Sequence, residues 1–161
     1  MLGSLSPKAS GLFLALPLLL GSVSAFAQSP AVQPSAAERS LCAGTFITEK
    51  LWFWQRRLNL QDWDISIVVA RATELKPRTL GNIHWDSNKK TAVIRVLDPA
   101  DYELAPPDMF EDMEFTVVHE LIHLELAPVL SQFSRNEANR RDEEHAVNQM
   151  AEALLKLQRG K

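Results

Sequence analysis

The hydrophobic positions that follow residue 35 have the spacing of an α-helix. Over residues 36–60 they recur at mixed steps of three and four, the spacing that places them on one face of an α-helix. Ser35 precedes this segment and Glu38 follows it three residues later, a pair typical of the capping box at a helix start. We therefore predict a helix over residues 36–60, with Ser35 as its N-cap.

Three short segments after this helix have the composition of β-strands. Residues 65–70 are rich in β-branched side chains, and residues 80–85 and Thr91–Leu97 are two further strand-like runs. The polar residues 86–90 between the last two runs predict a hairpin turn. The third run ends before Pro99, which cannot donate a ladder hydrogen bond. The middle of the chain is therefore predicted to form a small sheet.

Two helices are predicted in the last third of the chain. A Pro-Pro-Asp sequence opens the first, with Asp108 as its N-cap, and the helix is predicted to end at about Ala127, because Pro128 follows. The second helix is predicted over residues 137–158. The order α-β-β-β-α-α indicates an α+β fold in one domain over residues 36–161, with three mostly antiparallel strands covered by helices.

The first 27 residues have the features of a secretory signal peptide. Their apolar stretch, residues 11–20, is too short to cross a bilayer as a helix, and Ala25-Phe26-Ala27 has the small-x-small pattern that signal peptidase cuts. Residues 28–35 contain two prolines and no periodicity, which indicates a disordered leader. The protein is therefore predicted to be exported to a bacterial periplasm or secreted, with no membrane segment after signal cleavage.

Composition and charge exclude several classes of function. The chain has 161 residues, with 20 acidic and 17 basic side chains and a formal net charge of −3, so it offers no excess of basic charge for nucleic acid. Its single cysteine, Cys42, cannot form an internal disulfide and is predicted to be a buried small hydrophobic residue. What remains is a globular domain with an apolar core.

The sequence His119-Glu120-Leu121-Ile122-His123 lies within the first of the two predicted C-terminal helices. Histidines at i and i+4 project from one helix face, so both imidazoles can reach one metal ion. The intervening Glu120 lies about 100° around the helix, where it can take the proton of a metal-bound water as a general base. The surrounding residues are apolar, and such polar groups in a buried helix require partners or a metal.

A catalytic zinc needs a third protein ligand and an open position, and the last predicted helix offers Glu143, Glu144 and His145. We favour Glu144, because Asn148 lies one turn further on the same face and could hydrogen-bond a ligand histidine. Glu143 is the alternative third ligand, because it lies nearer the centre of the apolar stripe of this helix, and His145 is a weaker candidate. Two imidazoles and one carboxylate fit Zn²⁺ best.

These residues resemble the gluzincin clan of zinc metallopeptidases, in which HExxH is followed by a glutamate helix, and especially its small one-domain minigluzincin-like members. The resemblance covers residues 119–148. It implies a zincin-like fold, zinc ligands at His119, His123 and Glu144, and Glu120 as the general base. Asn148 differs from the aspartate common at this position in the clan. The resemblance also implies that a peptide or protein substrate binds along the strand Thr91–Leu97, as an edge strand.

Peptide hydrolysis also needs a group that stabilises the developing oxyanion. The sequence offers four candidate donors: Tyr102, His84, His145 and Arg140. The leading hypothesis is an exported zinc peptidase. The alternatives are a zinc-binding zincin-fold module without peptidase activity, such as an inhibitor or binding protein, and a metal-free structural domain.

Overall fold

The computed structural model describes residues 35–134 and 136–160. The predicted signal peptide, residues 1–27, and all but the last residue of the predicted leader lie outside the described residues. Within them, no helix combines the length and the apolar composition needed to cross a membrane.

The described residues form an α+β structure, which confirms the predicted fold class. It contains three α-helices and one three-stranded sheet: α1 (Ala36–Arg57), β1 (Asp64–Ala70), β2 (Gly81–Asp86), β3 (Thr91–Leu97), α2 (Pro106–Leu130) and α3 (Glu137–Gln158). Short 3-10 helices at Ala72–Glu74 and Pro99–Asp101 lie on either side of the β2–β3 hairpin in the sequence. The bounds of β3 and α3 are those that the sequence predicts.

Helix α1 begins as the sequence predicts and ends earlier. The Glu38 N–H donates to Ser35 Oγ at 3.2 Å, and the Ser35 N–H donates to the Glu38 carboxylate at 2.7 Å, which confirms the capping box. The helix ends at Arg57 rather than near Leu60, because Asn59 adopts a left-handed backbone conformation with φ of 57°. A residue with positive φ cannot continue a right-handed helix.

Helix α2 differs from the prediction at both ends. It begins at Pro106, with Ala105 rather than Asp108 as the N-cap, because proline needs no N–H in the first turn and its φ already suits a helix. It also continues past Pro128 to Leu130. Pro128 is exposed and removes only its own hydrogen bond, whereas the Ser131 N–H still donates to the Ala127 carbonyl at 2.9 Å.

The sheet is mixed, with the strand order β1-β3-β2, so the prediction of a mostly antiparallel sheet is wrong. Strand β3 pairs antiparallel with β2 and parallel with β1. Residues 71–80 connect β1 to β2, which lies two positions away in the sheet. The tight β2–β3 hairpin then places β3 between them. Only one of the two strand pairs is therefore antiparallel.

This order also makes the predicted role of β3 wrong. Thr91–Leu97 is the central strand, with neighbours on both sides, and cannot bind an extended peptide at an edge. Strand β2 is the edge strand on the side of α2. The Leu97 N–H donates to the Leu80 carbonyl at 2.8 Å, so the alternation of antiparallel pairing directs the backbone groups of Gly81, Ile83 and Trp85 away from β3.

The core lies between the inner face of the sheet and the three helices. Its fully buried side chains include Ile47, Leu51 and Trp54 of α1, Ile94 and Val96 of β3, Met113, Val117, Val118, Leu121 and Leu124 of α2, and Val147 of α3. Cys42 is exposed rather than buried, so that prediction is wrong. It precedes Ala43 of the buried α1 stripe by one residue, and about 100° of helix rotation turns it to solvent.

One buried carboxylate joins the helices that carry the candidate site. Glu114 of α2 is 4% exposed and accepts from Lys50 Nζ and Trp54 Nε1 of α1, each at 2.9 Å. Arg159, at the end of α3, donates to its second oxygen at 3.4 Å. Burial alone would raise the pKa of Glu114, but these hydrogen bonds outweigh it and hold the pKa below its usual range. The ionised carboxylate therefore links α1 and α3 to α2.

Gly81 allows β2 to approach α2 closely. A Cβ atom there would lie 2.4 Å from Thr116 Cγ2 and 2.7 Å from the Arg95 carbonyl oxygen. We therefore expect Gly81→Ala to lower the free energy of unfolding by about 1–3 kcal/mol, measured by denaturant titration, because the backbone contact cannot move aside.

Gly44→Ala on α1 is the matched control, since nothing lies within 4 Å of a Cβ at that position. We expect this substitution to raise the free energy of unfolding by about 0.5–1 kcal/mol, because glycine is a poor residue inside a helix. Equal stabilities of the two variants would contradict the close packing of β2 on α2.

Candidate metal centre

Helices α2 and α3 bring the site together. Helix α2 is buried on almost every side, so His119 and His123 are held in place, with only 14% and 11% of their side chains exposed. Helix α3 packs on α2 through one stripe: Val147, Ala151 and Leu155. That packing places the middle turns of α3, which carry Glu143, Glu144 and Asn148, against the histidines.

Three ligand atoms converge at one point. His119 Nε2 and His123 Nε2 lie 3.0 Å apart, and Glu144 Oε2 lies 3.3 Å from the first and 3.6 Å from the second. One ligand atom from each of these three residues can therefore share a single ion. The sequence predicts this set as the metal ligands, with Glu144 favoured as the third member, and the structure brings the three side chains together.

The other ring nitrogen of each histidine has its own partner. His119 Nδ1 lies 3.0 Å from Asn148 Oδ1, and His123 Nδ1 lies 2.9 Å from Glu143 Oε1. Because both partner oxygens are acceptors, each Nδ1 carries the hydrogen and each Nε2 presents a lone pair. Asn148 thus occupies the position expected for a residue that orients a ligand histidine, and Glu143 orients the second imidazole.

The donor set fits a divalent metal ion. Two Nε2 lone pairs that face each other at 3.0 Å repel unless a proton or a cation lies between them. Burial, followed by the nearby charge of His123, lowers the pKa of His119, which disfavours a proton at this point. Ligand atoms on one tetrahedral zinc are separated by roughly 3.3 Å, given zinc–ligand bonds of about 2.0–2.1 Å. The three observed separations bracket this value.

Glu120 lies beside the convergent atoms but is not one of them. It is 7% exposed, and its carboxylate oxygen lies 3.6 Å from the Cβ position of Gly81 under strand β2. Burial raises its pKa to about 8, the charge of Glu144 adds to this effect, and Lys76 opposes it. A strongly perturbed carboxyl group in a cleft is a candidate for proton transfer.

The site opens into a cavity of about 470 Å³. Its walls are α2, α3, strand β2 and the segment that precedes β2; the lining includes Lys76, Arg78, Gly81, Trp85, His119, Glu120, His123, Arg140 and Glu144. No sequence pattern predicts that Lys76, Arg78 or Gly81 lies at this site. A Pro-containing tetrapeptide at residues 76–79 is a turn signal that could have marked the segment, but nothing local places it against α2.

The four candidate oxyanion donors lie in different places. Arg140, on α3 one turn before Glu144, lines the cavity. His84 and His145 are exposed and are not among the lining residues. The Tyr102 hydroxyl donates to Asp112 at 3.0 Å, and burial raises the pKa of this tyrosine well above its usual range. Arg140 is therefore the one of the four that lines the cavity.

No protein-family model matches the chain, and comparisons with curated proteins and with solved structures find no match.

Proposed function

We propose that this protein is an exported, zinc-dependent metallopeptidase of the gluzincin type, with a zincin-like fold. The observation that supports this most directly is the convergence of His119, His123 and Glu144, with the buried Glu120 lining the same cavity. Two imidazoles and one carboxylate that leave a position open are a ligand set of catalytic rather than structural zinc.

The chain's own residues have distinct roles in this proposal. When bound, zinc supplies Lewis acidity, which polarises a substrate carbonyl and lowers the pKa of water. Asn148 and Glu143 hold the two imidazoles so that both Nε2 atoms point at one position. Glu120 accepts a proton from water at its carboxylate oxygen and later donates it to the leaving amine. Burial raises the pKa of Glu120 to about 8, and the positive charge of a bound zinc would lower it towards neutral pH, the range that suits both steps.

We propose that the substrate is an extended peptide that pairs with β2 rather than with β3. The outward backbone groups of Gly81, Ile83 and Trp85 lie at the free edge of the sheet, and all three residues line the cavity. An added strand would satisfy these groups and carry the peptide past the metal centre. Arg140, on the opposite α3 wall, is the donor we assign to the developing oxyanion.

Metal content and chelator sensitivity test this function. We expect the purified chain to carry about one zinc per molecule by mass spectrometry, and to cleave a mixed-sequence peptide library. A chelator should abolish cleavage, and added zinc should restore it, because hydrolysis depends on the metal.

Two other outcomes would change the assignment. Zinc bound without cleavage of any peptide would favour a zincin-fold binding or inhibitor module. A chain that takes up no metal, even with excess zinc, would make His119 and His123 part of a structural domain.

A further inference from the structure

The segment that precedes β2 brings two cationic side chains to the cleft. Lys76 and Arg78 both line the cavity that contains the metal centre. Within residues 35–134 and 136–160, neither side chain forms an ion pair, whereas the nearby Arg71 is paired with Asp101. The cleft therefore has a wall with two positive charges that no ion pair with the described residues neutralises.

The backbone of this segment is a tight turn that holds Arg78 in an unfavourable conformation. The Thr79 N–H and hydroxyl both donate to the Lys76 carbonyl, at 3.2 and 2.8 Å. Pro77 occupies the second position of the turn, and Arg78, with φ of 64°, occupies the third. This position of a type II turn favours glycine, because a side chain there is strained. Local folding therefore gives no reason for an arginine.

The described acidic side chains of the cleft do not form ion pairs with this turn. Glu143 bonds His123, Glu144 lies against both histidines, and Asp112 accepts from Tyr102. Glu120 is buried beneath β2. None of these carboxylates forms an ion pair with the cations of the turn, which are left available for an anion from outside the molecule.

We propose that the turn at residues 76–79 selects peptides with a carboxylate group, which Lys76 and Arg78 bind. This inference rests on the proposed peptidase function and names the substrate class of the same site. The guanidinium of Arg78 offers paired donors that match a carboxylate, and Lys76 adds a second charge. Because the turn leads directly into β2, a peptide on the free edge of β2 would present one of its side chains or its C-terminus to it.

Peptide binding to the zinc-loaded Glu120→Gln chain tests the preference without cleavage. The probes are N-acetylated, C-amidated decapeptides in which one glutamate is moved along an otherwise neutral sequence, each with a glutamine-matched partner. We expect the best-placed glutamate to improve affinity about three- to tenfold, measured by fluorescence anisotropy, and the gain to fall with added salt. Neutral peptides with a free or an amidated C-terminus then distinguish a terminal carboxylate from a side-chain one.

Variants of the turn locate the interaction. We expect the double substitution Lys76→Gln, Arg78→Gln to remove the preference. We expect Arg78→Gly to weaken the preference while the Tm stays equal or rises, because glycine relieves the strained turn position. Lys89→Gln is the matched control, since Lys89 is paired with Asp86 and does not line the cavity.

Equal or absent binding of the glutamate and glutamine peptides would overturn this inference. So would a preference that survives the double substitution, or one that is lost in Arg140→Gln but not in the turn variants. Cleavage by the wild-type chain without an acidic preference would leave the peptidase function intact. If the wild-type chain prefers acidic peptides but cleaves none, the carboxylate-binding site stands and the proposed peptidase function is wrong.

Discussion

Glu120→Gln is expected to lower the kcat of peptide hydrolysis by about 10²- to 10⁴-fold while the zinc content stays at one per chain. The buried Glu120 carboxylate lines the same cavity as His119, His123 and Glu144 but is not among the three convergent atoms. Glutamine has nearly the same size as glutamate and fits the space under Gly81, but its neutral amide cannot accept a proton from water. Zinc content by mass spectrometry and kcat on one cleaved peptide are the two measurements.

Glu125→Gln is the matched control for this substitution, because Glu125 is an exposed acid on the same helix. We expect its kcat and its zinc content to equal those of the wild-type chain. Turnover by Glu120→Gln at the wild-type rate would show that another group takes the proton, and loss of zinc would place Glu120 among the ligands.

Glu144→Ala is expected to weaken zinc binding more than Glu143→Ala does. Glu144 supplies one of the three convergent atoms, whereas Glu143 bonds the far nitrogen of His123. Loss of such an orienting partner costs about 10- to 100-fold in metal affinity, so Glu143→Ala should fall in that range and Glu144→Ala should exceed it. Competition with a chromophoric chelator gives both dissociation constants.

Asp142→Ala controls for the loss of one negative charge at the same end of α3, since Asp142 is exposed. We expect it to leave zinc affinity unchanged. If Glu143→Ala weakened zinc binding more than Glu144→Ala, Glu143 would be the third ligand.

The features that the sequence predicts correctly depend on residues close together in the chain. The capping box of Ser35 and Glu38 requires a spacing of three, and the bounds of α3 and β3 follow from their own side chains and flanking residues. The shared face of His119 and His123 is likewise a property of the helix period, so the closeness of their Nε2 atoms is already implied by the motif.

The misplaced ends of α2 show where local rules compete. Asp108 has the side chain of an N-cap, but the two prolines before it start the helix first. Pro128 is a helix breaker in the interior, yet in an exposed last turn it costs a single hydrogen bond. At each end the sequence contains two competing signals. The packing and the exposure of that segment decide which of them sets the end of the helix.

The strand order and the rotation of α3 about its axis were decided only by the tertiary structure. Any of the three strands could have been central, and long-range pairing placed β3 there and left β1 and β2 at the two edges. Glu143 and Glu144 are adjacent, so about 100° of helix rotation decides which of them meets both histidine Nε2 atoms and which bonds the far nitrogen of His123. The packing of Val147, Ala151 and Leu155 on α2 sets that rotation.

The sequence by itself therefore determined which segments form helices and strands and where the HExxH motif lies, because both depend on residues a few positions apart. Only the tertiary structure decided which acid joins the histidines, which strand forms the edge, and that the turn at residues 76–79 lines the cleft. Those choices depend on packing between segments far apart in the chain, and the energy of such packing is not encoded in any local pattern.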